Sequence, residues 1–186
     1  MDKNTKPEKW QRHRREKGPD LEILQVRFDW LQHPKSQKKM KRTILESNDW
    51  VNIIATTPQN KIVIVRQFRF GTEQITTEIP GGIIDKGEDS KTAAIRELKE
   101  ETGYTSSQWK YLGAVETNPA FMNNLCHSWH AKDVALTDAI NLDEGEDITV
   151  TTLTLGEIRS EIQAGTFRSS LPLLALTRVF NLWNIK

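Results

Sequence analysis

The clearest pattern in the chain is the strict alternation over residues 61–70. There Ile62, Ile64, Arg66, Phe68 and Phe70 share one side, and Val63, Val65, Gln67 and Arg69 share the other. A period of two predicts a strand, with Asn60 turning into it and Gly71-Thr72 turning out of it. Further strands are predicted over 21–31, Lys39–Glu46, Trp50–Thr56, 76–79, 109–116, 126–134 and 148–155. Three stretches change to a helical period. Residues 92–102 run without Gly or Pro from a cap at Asp89 or Ser90 to Gly103. Residues 155–164 stop at Gly165, and 171–183 open with Pro172. Residues 1–20 are polar, broken by Pro7 and Gly18-Pro19, with Trp10 the sole large apolar residue. They are expected to form an irregular leader that docks at one point or stays mobile.

Strands mixed with three helices predict the α/β class. The first strands are too few to bury a core of their own. Residues 1–46 are therefore expected to be a basic leader with a small antiparallel appendage, and 47–186 the main domain. No apolar run approaches the ~20 residues that span a bilayer, and the charged N-terminus does not resemble a secretory signal. Cys126 is the only cysteine, which excludes an intrachain disulfide and a cysteine metal site. It reads as a small buried residue, and cytoplasm is the expected compartment.

Net charge is only +1, yet residues 1–42 hold half of the 26 lysines and arginines. Such asymmetry suits nucleic acid, steering of a phosphate-rich substrate, or a solubilising leader. The leader is the preferred reading, because the basic run lacks the interleaved aromatics of a single-strand platform.

The densest chemistry lies between Gly82 and Tyr104. Glu97 and Glu101 stand one helical turn apart, and Glu100 is three residues from Glu97, so the three can converge. Like charges at this spacing destabilise a bare helix. The helix is then either a solvated charged face or built to hold a cation. Magnesium takes carboxylate oxygens and is usually completed by water and substrate phosphates. Arg96 can pair with Glu88, Gly82 lets backbone pass close to the carboxylates, and Gly103 suits a helix C-terminus. His127 and His130 fall on opposite faces of a predicted strand, which argues against a shared metal.

In order, Gly82, Glu88, Arg96, Glu97, Leu98, Glu100, Glu101, Gly103 and Tyr104 resemble a complete Nudix box. The resemblance implies a Nudix-type α/β/α sandwich with a mixed sheet and the box as loop–helix–loop. Val65-Arg66-Gln67-Phe68-Arg69, Glu78-Ile79-Pro80-Gly81-Gly82, Pro119 and the acidic loop 143–148 are similar to the ADP-ribose pyrophosphatase branch. That likeness implies Glu97, Glu100 and Glu101 as ligands of Mg2+, with Mn2+ as the alternative, the Gly81 carbonyl as a fourth, and Glu146 on a further ion. It implies Arg96, Glu100 and Glu144 as the catalytic set, with Glu144 the base, and Arg69, Glu78 and Pro119 on the substrate. Phe28 and Trp30 would reach a nucleobase across a homodimer; the bland alternative for each is sheet or dimer core. The implied reaction is hydrolysis of a nucleoside diphosphate sugar, ADP-ribose included, to a nucleoside monophosphate and a sugar phosphate. Two alternatives are an RNA 5′-pyrophosphohydrolase and a catalytically silent nucleotide-sugar sensor. No membrane or nucleic-acid partner is expected.

Overall fold

The computed structural model describes residues 6–142 and 144–183. The strands are β1 (Gln11–Asp20), β2 (Gln25–Gln32), β3 (Lys39–Glu46), β4 (Trp50–Thr56), β5 (Ile62–Arg69), β6 (Gln74–Glu78), β7 (Gly81–Ile83), β8 (Tyr104–Thr105), β9 (Gln108–Glu116), β10 (Leu125–Lys132), β11 (Ala135–Leu136) and β12 (Ile148–Leu153). The helices are α1 (Ser90–Thr102), α2 (Leu155–Gln163) and α3 (Ser170–Thr177). The chain divides into two compact units, Met1–Ser47 with Glu116–Asn124, and Asn48–Val115 with Leu125–Lys186.

In the larger unit the sheet runs β12-β5-β4-β10-β9, with β6 added to β5 and β7 to β4. It is mixed: β10 is parallel to β4, while β5 pairs antiparallel with β4, β6 and β12. Alternation along β4 sends its side chains to two cores. Val51, Ile53 and Ala55 pack with Ala93, Ala94 and Leu98 of α1 on one face. Ile54 joins Ile62, Ile64, Ile158 of α2 and Leu176 of α3 on the other. Helices therefore cover both faces, giving the α/β/α sandwich. Among the described residues no helix is long and apolar enough to cross a membrane.

The topology that matters for function is a splay. β4 and β5 pair only at Thr56↔Ile62. Beyond that point β5 is matched by β6 from Val65↔Glu78 to Arg69↔Gln74, and β4 by β7 from Asn52↔Gly81 to Trp50↔Ile83. The turn between β6 and β7, Ile79-Pro80, thus fills the gap, and the Pro80 carbonyl accepts the Ile53 N–H at 2.8 Å. Helix α1 then starts at Ser90, capped by Asp89, whose carboxylate accepts the Lys91 and Thr92 N–H groups. It ends on left-handed Gly103.

The smaller unit is a three-stranded antiparallel sheet, β1-β2-β3, joined by Glu116–Asn124 through the Leu45↔Met122 bridge and the Leu45 N–H donated to Phe121. Here the structure corrects the sequence reading. Half of the expected leader is a ten-residue strand, β1, paired with β2 from Gln11↔Gln32 to Asp20↔Gln25; leader residues 1–5 lie outside the described region. An edge strand with solvent around it needs no apolar alternation, so periodicity misses it. Gly18-Pro19 does not break it, because the register shifts between Lys17 and Asp20, where a bulge on an edge tolerates proline. The second strand starts at Gln25 rather than residue 21, after a turn with Glu22 at φ 67°. The last helix ends at Thr177, short of 183. Val179, Phe180 and Leu182 still pack on the second core, so their apolarity mimics helical continuation.

Gly103 sits at φ 70°, and a Cβ there would collide with the Asp138 carbonyl; Gly87, at φ 88°, has open space around its Cβ position. Gly87→Ala should cost about 1–2 kcal/mol for the left-handed backbone alone. Gly103→Ala should cost measurably more in chemical denaturation, because the clash with backbone adds to that strain. Equal losses would show that the close approach at Gly103 relaxes freely.

Candidate active site

The site is assembled where α1, the β6–β7 turn and the end of β5 meet. Arg96 is its hub. Its Nε and Nη2 donate to the two Glu88 oxygens at 3.2 and 3.0 Å, and Nη2 also donates to the Ile83 carbonyl at 3.1 Å. Its Nη1 donates to Glu97 at 2.9 Å and to Glu100 at 3.3 Å. Glu88 further accepts the Asp85 N–H at 3.1 Å. The pairing with Glu88, aided by Glu97 and Glu100, raises Arg96 well above the ordinary arginine range. The same fork holds Glu88 below the usual carboxylate range.

Two acids are driven the other way. Glu101 is 3% exposed, and burial pushes its pKa up to about 8. The Gly81 N–H, donated at 2.9 Å, opposes that rise, while the charges of Glu97 and Glu146 add to it. Burial also lifts Glu97 to about 6 against the pull of Arg96, with Glu100 and Glu146 contributing repulsion. A Cβ on Gly82 would collide with the Glu97 carboxylate, so only glycine lets this backbone lie against it. Glu100 is more open, its side chain 40% exposed.

Beside the acids, Arg69 holds Glu78 with two parallel hydrogen bonds, Nε to Oε1 at 2.9 Å and Nη2 to Oε2 at 2.7 Å. Burial alone would raise Glu78, but Arg69 and the Thr76 hydroxyl, donated at 2.6 Å, outweigh it and hold it below the usual range. Arg69 is raised by this pair and feels the charges of Glu101 and Glu146 as well. Thr76 went unread in the sequence, although its position two residues before Glu78 puts both on one face of β6.

Glu144 and Glu146 are both exposed on the loop before β12, and Asp143 lies outside the described residues. The charge of Glu146 acts on Glu97, Glu101 and Arg69. Phe28 and Trp30 lie on β2 in the smaller unit, with Lys41 Nζ 3.6 Å from the Phe28 ring centre and Arg14 4.8 Å from that of Trp30. Pro119 is exposed on the Glu116–Asn124 segment of the same unit. His127 contacts Asp49 at 3.4 Å and the Tyr111 hydroxyl at 2.9 Å, while buried His130 meets the Thr56 hydroxyl. Cys126 is buried and its thiol is pushed up to about 12.

Among the described residues no three His, Cys, Asp or Glu side chains are gathered in ligating geometry, since Glu97 and Glu100 are turned onto Arg96. The donor chemistry nonetheless fits a hard divalent cation. Glu97, Glu101 and Glu146 offer only carboxylate oxygen and repel one another, and a positive ion would relieve that repulsion.

An α/β/α domain carrying a carboxylate-rich loop–helix beside a paired arginine has the form of a Nudix-type hydrolase. Residues 48–170 match the NUDIX domain family model, and the chain belongs to the Nudix family and is an enzyme of it, a Nudix hydrolase. It is 36% identical over 155 residues to the methanol dehydrogenase activator of Bacillus methanolicus, covering 83% of each chain. It is 38% identical over 119 residues to the ADP-ribose pyrophosphatase of Bacillus subtilis, covering 63% of this chain and 64% of that one. Its fold matches a crystal structure of an ADP compounds hydrolase with a TM-score of 0.83 at 21% identity, covering 95% of both chains.

The raised Glu101 has a consequence for stability without metal. Unfolded, this acid titrates near 4.5; folded, near 8. Between those values the folded chain keeps a proton that the unfolded chain has lost, so stability falls as pH rises. In chelator-treated protein the melting temperature should therefore decline from pH 5 to pH 8, and Glu101→Gln should flatten the decline. Parallel profiles for both proteins would contradict this environment.

Proposed function

We propose that the protein hydrolyses the pyrophosphate bond of nucleoside diphosphate sugars, ADP-ribose among them, to a nucleoside monophosphate and a sugar phosphate. The observation that carries this is the placing of the Arg69–Glu78 pair against the Glu97–Glu101–Glu146 acids. A guanidinium next to carboxylates that suit a divalent ion can receive one end of a diphosphate whose other end is neutralised. The ADP-ribose pyrophosphatase of Bacillus subtilis and the ADP-sugar pyrophosphatase of Mus musculus, 32% identical over 107 residues, support the same substrate class.

Glu97, Glu100, Glu101 and Glu146 would hold the metal, Mg2+ or Mn2+. When bound, such an ion supplies positive charge against diphosphate oxygens that otherwise repel incoming water. The chain's own residues do the rest. Arg96 fixes the loop through Glu88 and holds Glu97 and Glu100 in place. The Gly81 N–H keeps Glu101 aimed from the helix. Arg69 receives the distal phosphate or ribose, oriented by Glu78 and Thr76. A loop carboxylate accepts the proton of the attacking water. The charge of Glu146 reaches the other acids, which suits the metal; Glu144, two residues before it and outside the ligand set, is assigned this role. The assembly is a homodimer in the cytoplasm in this reading, which sedimentation velocity at micromolar concentration checks for the dimer.

Turnover of ADP-ribose, ADP-glucose, GDP-mannose and triphosphorylated RNA with Mg2+, with product identification, tests the assignment. The sugar nucleotides should be cleaved to monophosphates, and inertness toward all three would refute it. Glu100→Gln and Glu101→Gln should each lower turnover by orders of magnitude in folded protein, because carboxamides bind magnesium poorly. In single-turnover kinetics at saturating Mg2+, Glu144→Gln should lose about 10²-fold or more. A loss below about tenfold would take the base role away from Glu144.

A further inference from the structure

The strongest charge asymmetry outside the active site is on the three-stranded N-terminal sheet, and strand pairing gives it an order that the linear chain hides. The register sets Arg14 opposite Trp30 and Trp30 opposite Lys41, a cation–aromatic–cation row on one face. The next row, Arg15, Asp29 and Arg42, lies on the other face, with Arg12 beyond it opposite Leu31. Lys39, opposite Gln32, continues the Trp30 face, and Lys35 and Lys38 stand on the adjoining β2–β3 loop.

The aromatic rings hold these cations in place. Lys41 Nζ is 3.6 Å from the Phe28 centroid and 5.4 Å from that of Trp30; the Arg14 guanidinium is 4.8 Å from Trp30, and that of Arg42 5.5 Å from Trp10. Long side chains pinned over rings lose less entropy when they meet an anion. The acids on the strands at this end are few and engaged. Asp29 is buried with Arg15 and Arg27, and Glu16 pairs with Arg14. Lys35, Lys38 and Lys39 are exposed, and none forms an ion pair with another described residue. Asp20, Glu22 and Glu46 sit at the opposite end of the sheet, as do the exposed Leu21 and Ile23.

We propose that the Arg14–Trp30–Lys41 end of this sheet binds the phosphate backbone of single-stranded nucleic acid without regard to sequence. Same-face positions recur about every 6.8 Å along a strand and about every 4.8 Å across strands, dense enough to meet successive phosphates. The cations lie on both faces of the sheet end. A flexible single strand can pass around that rim, whereas a stiff duplex would meet one face. A bilayer is the poorer partner, because membrane-surface elements need an apolar side to insert, and between residues 24 and 67 no large hydrophobic is exposed. Rings already covered by cations leave backbone charge, rather than base stacking, as the recognised feature.

The test is fluorescence anisotropy of a labelled mixed-sequence single-stranded RNA with the full-length protein between 50 and 200 mM salt. Binding should weaken linearly in log–log form, at about −0.7 per phosphate contact. A Lys35→Gln/Lys38→Gln/Lys39→Gln variant, altered where nothing in the fold is touched, should bind at least about tenfold more weakly. Its salt slope should be shallower by about 2, while its melting temperature and sugar-nucleotide turnover stay unchanged. Arg42→Gln should weaken binding in the same direction. Absence of binding at 50 mM salt, a triple variant that titrates like the parent, or tighter binding to phosphatidylglycerol vesicles than to RNA would each overturn the proposal.

Discussion

The active site depends on the five-way engagement of Arg96. A helix bearing Glu97, Glu100 and Glu101 within two turns carries like charge at spacings that oppose helix formation. One guanidinium offsets two of those charges and, through Glu88 and the Ile83 carbonyl, fastens the preceding loop to the same helix. The geometry is a charge-assisted fork on partly buried carboxylates, stronger and more directional than an exposed ion pair. Loop and helix consequently act as one rigid part. Arg69 and Glu78 repeat the device at smaller scale on the neighbouring hairpin, so each half of the site rests on a bidentate arginine.

What brings the halves together is the splay of β4 from β5. Had the two strands paired along their length, the β6–β7 turn would have no place in the sheet. Their parting after Thr56↔Ile62 lets Gly81 and Gly82 run beside β4 and under α1. Two adjacent glycines then do different jobs. At Gly81 the N–H holds Glu101; at Gly82 the missing Cβ leaves room for the Glu97 carboxylate. Backbone thus approaches buried Glu101 and half-buried Glu97 from the sheet side, which no side chain at these positions would permit.

The box was legible in the sequence because everything that fixes it is local. Helical spacing, a cap at Asp89, a stop at Gly103 and the reach of Arg96 to Glu88 can all be read within a few turns. The membership of Arg66 and Arg69 on opposite faces of β5 followed from the period of two, and Arg66 indeed pairs with Glu161 of α2 while Arg69 turns to Glu78. Strand β1 was not legible, since its cations carry no apolar rhythm and its partner lies beyond a turn. The interleaving of Arg14, Trp30 and Lys41 was hidden for the same reason: residues far apart in the chain meet only through sheet register. The end of α3 is not legible because Val179, Phe180 and Leu182 pack on the second core, which apolar periodicity cannot tell from helix.

The pair Glu144 and Glu146 shows where spacing stops being informative. Two residues apart on an acidic loop, they are equivalent in composition and in exposure. Only the fold brings the charge of Glu146 within range of Glu97, Glu101 and Arg69. The same cluster explains why the site is kept at a cost to the fold. A carboxylate buried like Glu101 favours its neutral form and weakens the metal-free protein whenever pH forces it to ionise. Replacing it by an apolar residue would remove that liability, but would also remove the oxygen that a divalent ion can use. Strain of this kind is what a functional site stores, and here it is confined to one face of one helix while the two apolar cores on either side of the sheet carry the stability.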